Sequence, residues 1–193
     1  MRAVARVALI ALAVLFAGVS CRTARPTGAP IAPLTSTTAE EASEQLRVRR
    51  ASFGGVRSLM RVRATTNGKT QSFRAQLAVH DARRMELIAY TPVGTTALTL
   101  KANGDDVTTD PEVPPESFAF LRATGLTPAE TSMLLLGLPP RDDLNVEYAP
   151  SGVARATVGE ITVTFDPPSF PAQKVIVERA ADRVELEHLE VVK

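Results

Sequence analysis

From Val56 onward apolar residues recur at every second position, and that period decides the fold class. In "LMRVRAT" Met60, Val62 and Ala64 alternate with Arg61, Arg63 and Thr65, and in "QSFRAQLAV" Phe73, Ala75, Leu77 and Val79 alternate with polar partners. A period of two sends one face to a core and the other to water, as an antiparallel strand requires. Asn67-Gly68 between these runs is a hairpin signal. "RMELIAY" and "TTALTLKA" continue the meander, and "NGDD" turns it again near Asn103. "LNVEYA", "ARATV", "ITVTFD", "QKVIVERA" and "RVELEHLEVV" resume the pattern later in the chain. The expected fold is α+β: a long antiparallel sheet of about ten strands, whose curvature would let helices cover its concave face.

Three helices are expected around and between the strands. "TAEEASEQLRVRRASFGG" begins with Thr38 as N-cap and Glu41 three residues on, a capping box, and stops at Gly54-Gly55. Ala42, Leu46 and Phe53 share one of its faces. "PESFAFLRATG" suits a short helix with Phe118 and Leu121 inward. "TPAETSMLLLGLPP" has Thr127 as N-cap, Pro128 in the first turn, Glu130 at N3 and Gly137 after the last turn.

The N-terminus indicates where such a fold works. Arg2 and Arg6 precede an apolar run from Val7 to Ala17, which as a helix spans only about 16 Å against ~30 Å of bilayer hydrocarbon. This is an export signal rather than a membrane span. The only cysteine follows in "GVSC", a lipobox with Cys21 as the lipidated residue. Three divisions are expected: a signal peptide over 1–20, Cys21 with a Pro- and Thr-rich flexible tether over 21–38, and the folded domain over 39–193. Cleavage before Cys21 leaves 193 − 20 = 173 residues, with 22 − 2 = 20 basic and 21 acidic side chains. A charge of −1 gives no basic excess for a nucleic-acid partner.

The sequence contains no catalytic constellation. His80 and His188 are its only histidines, and no phosphate loop, metal-ligand spacing or nucleophile motif accompanies them. Neither enzyme activity nor a metal or cofactor is expected, and both histidines are read as structural. Arg47, Arg49, Arg50, Arg57, Arg61 and Arg63 are read as a solvated face in preference to a lipid head-group site.

One turn is unusual. In "AYTPVGTTALTL" Pro92 suits the second position of a type I turn and Gly94 the fourth, yet the tip between them is Val93.

"RRMELIAYTPVGTTALTLKANGDDV", "MLLLGLPP" and the closing "ITVTFD…VELEHLEVVK" together resemble LolB, an outer-membrane lipoprotein family that receives other lipoproteins. Thr91 and Val93 stand where that family carries Asn and Leu. The resemblance implies an incomplete β-barrel of about ten or eleven strands lidded by helices, a half-barrel with an apolar cavity that takes acyl chains of lipoproteins from a soluble periplasmic carrier. It implies release into the inner leaflet of the outer membrane, by a monomer anchored there and facing the periplasm. Pro92, Val93 and Gly94 would form a membrane-entry loop. The lining is expected from Phe73, Leu77, Met85, Leu87, Leu98 and Leu100 on the strands, with Phe118, Met133 and Leu136 from the lid. The alternative is a non-catalytic assembly or scaffold lipoprotein that binds a protein partner. A continuous apolar cavity favours the first reading, and a filled one the second.

Overall fold

The first strand, β1 (Val56–Thr66), and the last, β10 (Asp182–Val192), pair antiparallel at the centre of one sheet. This computed structural model describes residues 26–66, 68–112 and 124–193. On one side of β1 follow β2 (Lys69–Val79), β3 (Arg84–Tyr90), β4 (Thr96–Asn103) and β5 (Asp106–Asp110). On the other side of β10 follow β9 (Lys174–Arg179), β8 (Ile161–Phe165), β7 (Gly152–Val158) and β6 (Asn145–Ala149). All ten described strands pair with sequence neighbours except at this central seam. The sheet is open, with β5 and β6 as its edges, so the expected incomplete barrel is what the chain forms. The expected helix over 115–125 falls mostly outside the described residues, as do the signal segment 1–20 and Cys21.

The alternation read from the sequence becomes continuous apolar rows across the sheet. Phe165 pairs with Val175, Val175 with Leu186, Leu186 with Val62, and Val62 with Phe73, a row that crosses five strands. A second row joins Leu77, Leu87 and Leu100. Side chains of one register class share a face, so these rows form a single inner wall.

Two described helices cover that wall. Helix α1 (Ala39–Ala51) lies against β6 and β7, and α2 (Pro128–Leu135) against β2, β3 and β4. Ala42 and Leu46 of α1 are buried as expected, whereas α1 ends before Phe53, which is half-buried in the following turn. Its N-cap differs in one respect. Thr38 Oγ1 accepts from Glu41 N at 3.2 Å, but the Glu41 carboxylate reaches one residue further back, to Thr37 N at 2.8 Å and Thr37 Oγ1 at 2.9 Å. Those hydrogen bonds, the Thr37 amide first, hold the Glu41 carboxyl below its ordinary range.

The structure describes residues 26–38 of the expected tether. Residues 26–38 lie along the domain: Lys193 N donates to Ala29 O at 2.9 Å, and Pro30 bridges to Val192. Arg49 donates to the carbonyls of Ala32 and Pro33, and Ser36 Oγ to Pro150 O at 2.6 Å. The β9 ladder ends at Lys174 with Glu187, His188 N still donates to Gln173 O at 2.8 Å, and further along β10 this segment meets the strand at Val192. Composition predicted disorder because prolines and threonines carry little apolar surface. The strand edge supplies partners that composition cannot show.

Candidate apolar cavity under helix α2

Helix α2 is written to start and stop sharply. Thr127 Oγ1 accepts from Glu130 N at 3.2 Å while the Glu130 carboxylate accepts from Thr127 N at 2.9 Å, completing the expected capping box. At the other end Gly137 N donates to Leu134 O at 2.8 Å and Leu138 N to Met133 O at 3.0 Å, a Schellman closure. Gly137 has φ +86, and a Cβ there would stand 3.2 Å from Ser169 O, so both backbone and space call for glycine.

Three contacts fix where α2 lies. Arg141 binds the Glu130 carboxylate through Nε and Nη2, both at 2.8 Å, and donates from Nη2 to Gly125 O at 2.9 Å. The Arg141 hydrogen bond is the main reason that the Glu130 carboxyl lies below its ordinary range. Ala172 N donates to Leu136 O at 3.0 Å. His188 Nε2 lies 3.1 Å from Leu135 O, and its Nδ1 lies 2.7 Å from Ser58 Oγ. A carbonyl only accepts, so Nε2 carries the proton and Nδ1 accepts from the Ser58 hydroxyl. Burial pushes the His188 pKa down to about 4. Ser58 is 0% exposed, and through this pair β1 and β10 are tied to the end of α2.

Held this way, α2 packs down on β2 to β4 and leaves a gap over the other half of the sheet. The gap is a cavity of about 220 Å³. Thr131, Leu134 and Leu135 of α2 line it from above with Thr124 and Leu126, and Val158, Ile161, Val163, Val177, Val184 and Leu186 from below. No charged side chain is among these. By register, Val158, Ile161 and Val184 lie toward the end of the sheet where β1 turns into β2. A second space of about 210 Å³ lies at the opposite end, among Ile31, Phe53, Leu138 and Phe170. Arg49 borders it, its guanidinium 4.9 Å from the Phe170 ring centre, and burial lowers the pKa of that guanidinium.

The residues expected to line the cavity lie elsewhere. Leu77, Met85, Leu100, Met133 and Leu136 are buried in the common core, Phe73 and Leu87 pack against it, and Leu98 is half-buried. None of these eight borders the 220 Å³ cavity, and Phe118 lies outside the described residues. The reason is geometric: alternation tells which face of a strand is apolar, but not which half of the sheet a helix will press upon.

The turn at Pro92, Val93 and Gly94 has the geometry read from the sequence. Gly94 N donates to Thr91 O at 2.9 Å, Thr91 N donates to Thr95 O at 2.8 Å, and Gly94 takes φ +88. Val93 is 76% exposed at the tip. The turn projects from the end of the sheet opposite to that at which Pro30 meets Val192.

Four of the six arginines in the series have separate partners: Arg47 pairs with Glu44, Arg50 with Asp142 and Arg61 with Glu187, while Arg49 serves the N-terminal segment. Arg57 and Arg63 are exposed on β1, as Arg61 is.

A family described as "Protein of unknown function (DUF3261)" matches residues 58–128. No curated protein matches the chain. Among solved structures, a LolA superfamily protein from Nitrosomonas europaea is similar at 10% identity, over 82% of this chain and 94% of that one, with a TM-score of 0.47. A domain described as an outer membrane lipoprotein-sorting protein from Vibrio parahaemolyticus is similar at 10% identity, over 78% and 90%, with a TM-score of 0.44. A DUF1329 family protein from Desulfovibrio piger is similar at 11% identity, over 81% and 93%, with a TM-score of 0.39.

Proposed function

We propose that the protein is a lipid-anchored lipoprotein whose half-barrel binds acyl chains, and that it accepts lipoproteins from a soluble periplasmic carrier for insertion into the outer membrane. The observation that supports this is the cavity under α2, bounded mostly by aliphatic side chains and with no charged side chain among the described residues that line it. Each CH₂ that leaves water contributes about 0.8 kcal/mol, so even a partly enclosed chain gains several kcal/mol in such a space.

Its size sets the mode of action. Ligand pockets commonly enclose about 300–1,000 Å³, and an apolar cavity of about 150 Å³ holds a benzene. At about 220 Å³, this one takes a stretch of one chain. Engaging more chains requires α2 to lift from the sheet. The half of the concave face already filled under α2 favours the other reading, a scaffold lipoprotein that binds a protein partner.

Native mass spectrometry of the chain from residue 22, purified from an exporting bacterium, separates them. One co-purified lipid per chain supports the acyl-binding reading. A bare chain that also takes up no added lipid supports the scaffold.

A further inference from the structure

The geometry points to Thr131 as the polar anchor of the α2 cavity, a hydroxyl that hydrogen-bonds the carbonyl of an uncharged acyl ester or amide whose chain fills the cavity. This rests on the acyl-binding reading and adds the chemical class of the ligand. Thr131 is only 7% exposed, and its Oγ1 is the one buried side-chain polar atom without a hydrogen-bond partner among the described residues. Its neighbours on the chain show that this is not general. Ser132 Oγ, one residue on, donates to Pro128 O at 2.9 Å, and Thr124, the other hydroxyl in the lining, accepts from Leu126 N at 3.0 Å.

A buried hydroxyl without a partner is unfavourable in the empty protein and is relieved when a ligand supplies one. The cavity wall presents no polar surface as folded, and threonine on a helix divides between two χ1 rotamers, so a change of rotamer is what brings the hydroxyl to the cavity that Thr131 lines.

The rest of the lining selects the ligand. With no cation among the described residues that line the cavity, a fatty carboxylate would find no partner there for its charge, which disfavours it. An ester or amide carbonyl needs a single donor, and Thr131 offers it.

The chain from residue 22 carries every described element. Its affinity for methyl decanoate, for the matching ether 1-methoxydecane and for undecane tests the assignment, together with the shift of a ¹³C-labelled ester carbonyl. The ester should bind about tenfold tighter than the ether, about what one hydrogen bond gives, with a downfield carbonyl shift. Thr131→Val, close in shape, should erase both the preference and the shift while leaving undecane binding intact, and Thr131→Ser should keep them. An unchanged preference in Thr131→Val, or equal binding of ester and ether by the unaltered chain, would overturn the role of Thr131 and leave the acyl cavity standing. If none of the three ligands binds the unaltered chain, the acyl-binding reading falls and this assignment with it.

Discussion

Ser58 Oγ donates to His188 Nδ1 across 2.7 Å, and this bond ties the first strand to the last at the centre of the sheet. From its other nitrogen His188 donates to Leu135 O, at the end of α2. One neutral imidazole therefore joins β1, β10 and the helix over the cavity. A β-bulge between Leu59 and Met60 places Met60 opposite His188 and Leu59 opposite Glu190, leaving Leu189 as the extra residue.

Stability should consequently fall with mild acid. The folded pKa of His188, about 4, is below the ordinary 6.5, so between these values the unfolded chain binds the extra proton. Stability is complete above pH 6.5, declines as pH falls and levels off below about 4, for a loss of about 3 kcal/mol in all. Between pH 6.5 and 5 the decline should be about 2 kcal/mol, before the carboxylates take part. Thermal unfolding across that range measures it. His188→Gln should remove most of the slope, and an equal slope in that variant would show that another group titrates.

Val93→Glu should leave the fold as stable as before, within about 0.5 kcal/mol, because the side chain is exposed at a turn tip. If the turn enters a bilayer, liposome association should weaken, since the valine contributes about 1–2 kcal/mol on insertion. Liposome flotation of the chain from residue 22, alongside its melting temperature, gives both values. Unchanged flotation would remove Val93 from the membrane contact.

Gly137→Ala should cost about 1–2 kcal/mol, because it forces a left-handed backbone on alanine and crowds Ser169 O. Denaturant unfolding reads the loss. A neutral substitution would mean that the segment carrying Ser169 gives way.

Cys21→Ala should abolish membrane retention if the lipobox is used. Fractionation with carbonate extraction checks this, and a variant that still resists extraction would require an anchor elsewhere in the chain.

The sequence alone determined the class of fold, because strand alternation, hairpin glycines and helix caps are local physics. Met60, Val62 and Ala64 face one way whatever surrounds them, and Thr127, Glu130 and Gly137 close a helix with their own neighbours. The Val93 turn was legible for the same reason. What lay beyond the sequence was every relation between distant residues. Ser58 and His188 are 130 positions apart and show no spacing that would pair them. Pro30 meets Val192 on β10 only beyond the point where β9 and Gln173 stop pairing with it. The location of the cavity depended on where Arg141, Ala172 and His188 pin α2. That choice turned the leucines of β2 to β4 into packed core and left Thr131 beside the open space on the other side, a distinction that only the docking of the helix could make.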